Sequence, residues 1–343
     1  MDFLPTLWFI LIAVLWTGYL FLEGFDLGVG MHVLVSARSE TDRRVMLNTI
    51  GPVWDGNEVW LITAAGATFA AFPFWYASLF STLYVPLVVV LLSLIFRAVA
   101  IEYRGKGSTA RWTRVWDIAL GVGSSVAAFG VGATLALTTT GLPINANGDG
   151  TGGPFDWFNG WAVIGGLAVV GFCLAHSATF LALKTEGDVR DRSGRFAVRW
   201  MPVLLLPIAV WVFGVQLMNG KSYTWILVTT AVAAAVFAWL SARRRSEGRA
   251  FAGMALFLLL GTASIFANAF PNVLPSTISD TYDLTVANAS SSPYTLGVMS
   301  VVAAFGIPLV LAYQGWTYWV FRKRISGASI PQAKPVTAAL KTR

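Results

Sequence analysis

The chain has 343 residues, of which 56% are hydrophobic and 12% charged, against about 25% charged in an ordinary soluble domain. Fifteen Trp and 23 Phe add to an apolar surplus that a soluble core of this size would not hide, so the chain reads as an all-α integral membrane protein. The net charge of +7 excludes little, because the side on which positive residues lie matters more than their sum, whereas the single cysteine, Cys173, excludes a disulfide framework and any CxxC metal or c-type haem motif.

The chain opens on an apolar run from about residue 5 to 35. Asp2 stands where a secretory signal needs basic residues, and no small-residue cleavage site follows, so the run is read as a first membrane helix. About 20 apolar residues cross the hydrocarbon core. By that measure nine spans are expected, near 5–35, 54–72, 76–101, 115–138, 158–183, 200–218, 223–241, 251–270 and 294–321. Pro86, Pro202, Pro207 and Pro308 fall inside spans and should bend them. Residues 1–325 form a single transmembrane helical domain in this reading, and 326–343 a flexible cytoplasmic tail.

The connections test the count. The first, third, fifth and seventh loops and the C-terminal tail hold 22 of the 24 Lys and Arg residues, while the intervening loops hold only Lys221. Arg97 is the remaining one and lies within the third span. Such segregation puts the N-terminus outside and the C-terminus in the cytoplasm. The runs RRR (243–245) and RKR (322–324) are then orientation signals, and no nucleic-acid partner is expected.

Five ionisable residues interrupt the early spans: Glu23, Asp26, Asp55, Glu58 and Arg97. Each costs from ~3 to above ~10 kcal/mol in hydrocarbon, so each needs a partner or a purpose. Asp26 lies about nine residues, or ~13 Å, from the cytoplasmic end of the first span. Asp55 and Glu58 lie in the first turns of the second span and Arg97 near the end of the third, so all five fall on the cytoplasmic side. Glu23 and Asp26 are three residues apart and share a helix face, as do Asp55 and Glu58. Gly24 and Gly28 form a GxxxG pair that lets another helix approach closely. Two readings fit the group. It is either an ion-pair network holding three helices in register, or a proton-conducting path in which the acids act as relays.

His32 and His176 are the only histidines. A lone membrane histidine is ordinarily an interhelical hydrogen-bond partner, and no paired-histidine haem site is visible. Trp54 and Trp60 flank the acid pair in GPVWDGNEVWL and read as interfacial anchors and packing residues. GFDLGVG does not match the GxGxxG dinucleotide fingerprint, and no strand precedes it.

Taken together, FLEGFDLGVG (21–30), DRRVMLNTIGPVWDGNEVWLITAAGATFAAFP (42–73), FRAVAIEYR (96–104) and the late stretch from FPNVLPS at 270 to AYQGW at 316 resemble subunit II of the cytochrome bd-type quinol oxidases. The middle of the chain matches mainly in hydropathy. The resemblance implies nine helices arranged as two four-helix bundles plus one peripheral helix. It implies a heterodimer with a subunit I that binds two b-type haems and one haem d, with small accessory subunits in some complexes. That complex reduces dioxygen to water with electrons from a quinol, in a bacterial plasma (inner) membrane. No catalytic residue and no metal site is then expected in this chain. By resemblance, Asp55 of PxWDGN matches a position assigned to proton delivery and Trp60 one near a dioxygen route, while Asp26 matches an acid of less settled role. A structural quinone accompanies subunit II in some members. A proton-coupled secondary transporter is the alternative, although the acid cluster has no counterpart in spans six to nine.

Overall fold

The computed structural model describes residues 3–330. It is built from twelve α-helices: α1 (Phe3–Val35), α2 (Glu40–Ile50), α3 (Trp54–Ala71), α4 (Pro73–Thr82), α5 (Tyr84–Tyr103), α6 (Ala110–Thr140), α7 (Gly160–Lys184), α8 (Gly187–Leu204), α9 (Leu206–Asn219), α10 (Thr224–Arg243), α11 (Glu247–Ala269) and α12 (Pro293–Val320). Side-chain oxygens start several of them: Thr109 accepts from Trp112 N–H, Asn159 from Trp161 and Ala162, and Ser292 from Thr295.

Among the described residues, eight stretches are long and apolar enough to cross a membrane: α1, α5 with the short turn after it, α6, α7, α8 joined to α9, α10, α11 and α12. The expected 54–72 segment is helical as α3, but its polar opening WDGNE keeps it out of that set. The expected span 76–101 is divided at Leu83 into α4 and α5, so Pro86 sits in the first turn of a new helix rather than in the middle of one. Likewise the expected span 200–218 starts earlier, at Gly187, and is divided at Leu205 between Pro202 and Pro207. Pro308 lies inside α12, which continues through it.

At the centre, α1 packs against α3, α6 and α7. Small residues allow this. A Cβ on Gly28 would lie 2.0 Å from the Cys173 carbonyl oxygen of α7, and one on Gly30 would lie 2.2 Å from Ser124 Oγ of α6. The GxxxG expectation therefore corresponds to the contact of α1 with α7.

The two ends of the bundle differ. One gathers α2, the turn after α5, the starts of α8 and α11, and residues 321–330. Arg104 there joins Glu40 (2.8 Å) and Asp117 (2.5 Å), Arg190 joins Glu247 (2.6 Å), and Arg192 joins Asp42. Helix α2 lies in the expected first loop and is closed by a capping box between Ser39 and Asp42. Just before the expected tail Ile325 pairs with Thr185, and within its start Gly327–Ser329 forms a turn. Residues 331–343 of that tail lie outside the described residues. At the opposite end, the antiparallel pair β1 (Asn272–Leu274) and β2 (Leu284–Thr285) and a bridge from Leu142 to Ser276 cover the helix ends.

Candidate functional site

Four of the five singled-out ionisable residues come together where α1, α3 and α5 meet. Glu23 and Arg97 are both completely buried, with Arg97 Nη1 2.8 Å from Glu23 Oε1. The same Nη1 lies 3.5 Å from Glu58 Oε2 of α3. The guanidinium also sits 6.0 Å over the Trp54 ring. Asp26, equally buried, is held differently: Asn57 Nδ2 donates to its Oδ2 (2.7 Å). Asn57 Oδ1 in turn accepts from Gln314 Nε2 (2.9 Å) and Tyr318 O–H (2.7 Å) of α12. The cluster therefore joins four helices, two of them through an amide hub.

Asp55 departs from the expected group. Its side chain is exposed, and Oδ1 accepts the Gly56 N–H at 2.8 Å. Because Asp55 and Asn57 are two residues apart, they point to opposite sides of the first turn of α3. Asn57 points inward and Asp55 outward.

The geometry leaves hydrogen-bonding capacity unused. Glu23 Oε1 and Oε2, Asp26 Oδ1 and the Arg97 Nε, Nη1 and Nη2 atoms have no aligned hydrogen-bond partner in the protein, the close Arg97–Glu23 approach notwithstanding. The buried Tyr19 hydroxyl, one turn before Glu23 on α1, is also without one. Buried polar groups ordinarily find partners. Three carboxylates also face one guanidinium, so full ionisation would leave two uncompensated negative charges, an arrangement that dry protein does not tolerate. The cluster is chemically suited to hold water and exchangeable protons.

Asn57, Gln314, Tyr318 and Tyr19 were not singled out from the sequence. Asn57 sits inside the quoted WDGNE, and Gln314 and Tyr318 are four residues apart on one face of α12. Their spacing was visible, but the helix they meet was not.

Trp60 lies apart from the acids. It lines an apolar groove of about 680 Å³ between α1 and α11, with Thr17, Phe21, Tyr223 and Leu258. Its indole covers Gly18, where a Cβ would come within 2.3 Å of the ring.

The histidines match the interhelical expectation. His32 Nε2–H donates to Leu174 O and His176 Nε2–H to Phe21 O, each at 3.1 Å. The His176 ring is also stacked between Phe172 (5.0 Å) and Phe251 (4.9 Å). Both ring nitrogens of His32 are hydrogen-bonded, Nδ1 to Ser36 Oγ (3.1 Å), and the His176 ring is committed at Nε2 and covered on its faces, so neither residue fits a haem iron.

Comparison with known proteins is consistent over nearly the whole length. Residues 4–321 match the sequence model of the family described as cytochrome bd terminal oxidase subunit II. The chain is 41% identical over 331 residues to cytochrome bd ubiquinol oxidase subunit 2 of Bacillus subtilis (strain 168), covering 95% of this chain and 98% of that one. It is 33% identical to cytochrome bd-I ubiquinol oxidase subunit 2 of Escherichia coli (strain K12), covering 96% and 97%. Its fold is similar to a chain of the bd oxidase from Geobacillus thermodenitrificans, with a TM-score of 0.77 at 17% identity, over 93% of this chain and 99% of that one.

Proposed function

Because this chain belongs to the cytochrome bd terminal oxidase subunit II family, we propose that it is the haem-free half of a quinol:oxygen oxidoreductase and supplies its partner with protons and a rigid frame. It is a membrane-embedded component of a quinol oxidase, whose complex uses haem and quinol and contains a subunit I. The secondary-transporter alternative is not favoured, since the match to oxidase subunits extends along 95% of the chain.

Two haems b and one haem d reside on the partner in a bacterial inner membrane. Nine crossings, with α3 and α4 together making the second, put the N-terminus outside and the arginine-rich end in the cytoplasm. The partner covers the face of α3, α5 and α12, where α12 buries only Leu296 and α5 exposes Leu91, Leu92 and Phe96. Asp55, exposed at the start of α3, collects protons; Glu58, three residues on, and the buried Glu23 and Asp26 hold them in turn. Trp60 borders the dioxygen route, for which its apolar groove is a suitable medium. The same groove would take a structural quinone.

The observation that carries the proton role is the unused hydrogen-bonding capacity of Glu23, Asp26 and Arg97 in the interior. A frame alone would be better built from satisfied neutral groups. The test is Asp55→Asn in the assembled complex. Oxygen consumption per haem is expected to fall at least ~10-fold, toward the range proton-transfer groups contribute, with the haem spectrum intact. Unchanged turnover in a fully assembled complex would leave only the frame.

A further inference from the structure

The arginine-rich end holds a cleft of about 180 Å³ between α7, α8, α10 and α11. Four arginines line it (Arg190, Arg195, Arg243 and Arg245) against two acids, Asp191 and Glu247. Its wall includes Thr179, Ala197 and Ala250, all buried. The acids are already engaged. Glu247 accepts from Arg190 Nε (2.8 Å) and Nη2 (2.6 Å) and lies 3.5 Å from Arg324. Asp191 is 3.8 Å from Arg245.

Two guanidinium groups therefore remain without a carboxylate. Arg195 makes no ion pair or side-chain hydrogen bond among the described residues. Arg243 lies 4.9 Å over the Trp239 ring, and the Trp239 indole N–H donates to Val198 O (2.9 Å), fastening α10 to α8 beside the cleft. Orientation alone requires arginines at this end but not a concave site for them. A concavity with excess positive charge focuses the field on whatever anion enters, and arginine's fork of donors matches a phosphate.

We propose that this cleft binds the phosphate of an anionic phospholipid, with Arg195 and Arg243 as its ligands. A free phosphate shares that headgroup chemistry, but the surroundings favour a lipid. Val236 and Leu240 lie seven and three residues before Arg243, on the same face of α10, and both are exposed and apolar. A lipid whose phosphate meets Arg243 lays its chains along that face. Basic pockets between membrane helices are general receptors for such headgroups.

The test uses the purified, delipidated complex with its partner subunit, titrated in neutral detergent with dioctanoyl phosphatidylglycerol, dioctanoyl phosphatidylcholine or inorganic phosphate and followed by native mass spectrometry. Two variants are compared with the unaltered complex. Arg195→Gln with Arg243→Gln removes the charges. Gly194→Leu fills the cleft, because a Cβ at Gly194 meets no atom within 4 Å, so that this variant keeps the test open if the first does not assemble. The expected result is one phosphatidylglycerol adduct more on the unaltered complex, weakened roughly tenfold or more in either variant, with no displacement by millimolar phosphate. Equal phosphatidylglycerol binding in the variants, equal binding of phosphatidylcholine, or displacement by free phosphate would each overturn the proposal.

Discussion

Two of the buried polar networks among the described residues are built in opposite ways. Between α9, α10 and α11, Asn268 Nδ2 donates to Gln216 Oε1 (2.8 Å), the Thr224 hydroxyl lies within 3.0 Å of Gln216 Oε1 and 2.7 Å of Asn268 Oδ1, and Lys221 N–H donates to Asn268 Oδ1 (3.3 Å). These groups are neutral apart from Lys221, whose ammonium is held by the Ala267 and Phe270 carbonyls. Their side-chain polar atoms are paired. Between α1, α3 and α5, by contrast, the groups are charged, the carboxylates outnumber the cation, and both Glu23 oxygens lack an aligned donor. A satisfied neutral network holds helices together at little risk. A charged, under-satisfied one is costly to bury, which is the ground for the proton role proposed above.

The contrast can be broken most directly at Arg97. Arg97→Met leaves Glu23 buried without its cation, a loss of ~3–5 kcal/mol for a broken buried pair. The expected outcome is little or no haem-loaded complex in membranes, read from the visible spectrum per unit of membrane protein. Assembly at normal levels would mean that the charges are offset elsewhere. Next comes Asp55→Asn, where turnover should drop while the haems remain. At the neutral network, Asn268→Ala should cost ~1–3 kcal/mol through unpaired buried groups. It should lower the thermal midpoint of the purified complex without changing turnover per haem. A slowed oxidase with unaltered stability would erase the distinction between the two networks.

The smallest effect belongs to Asp42, outside the spans. Burial pushes its carboxyl up, but the Arg38 backbone N–H and the Arg192 charge outweigh this and hold it below the usual carboxylate range. A depressed folded value contributes stability above the unfolded value near ~3.9, and that contribution disappears as pH falls through the folded one. Asp42→Asn should therefore loosen α2 by about 1 kcal/mol or less at neutral pH. The difference from the unaltered chain should shrink as pH falls through the depressed folded value of Asp42 and disappear below it, as read from amide exchange across residues 40–50.

Much of this was legible in the chain itself. Apolar runs longer than the bilayer core marked the helices, since no other open structure satisfies the backbone in lipid. The segregation of 22 arginines and lysines set apart the end that now carries the ion pairs and the basic cleft. The spacing of Glu23 from Asp26, and of Gly24 from Gly28, named the faces of α1 that meet α3, α5 and α7. Helix α2 was not legible there: hydropathy reads its segment as a loop, and its capping box between Ser39 and Asp42 comes from the structure.

Tertiary structure decided what those faces touch. Residues far apart in sequence become neighbours only once the helices pack, so nothing local joins Asn57 to Gln314 and Tyr318, more than 250 residues away. For the same reason Asp55 and Glu58, alike by charge and position on α3, part company. Glu58 turns toward Arg97 and Asp55 toward the exterior. Composition and periodicity established that acids interrupt the early apolar segments of the chain. Only the rotation of α3 against α1 and α5 separated those that are buried in the cluster from the one left at its rim.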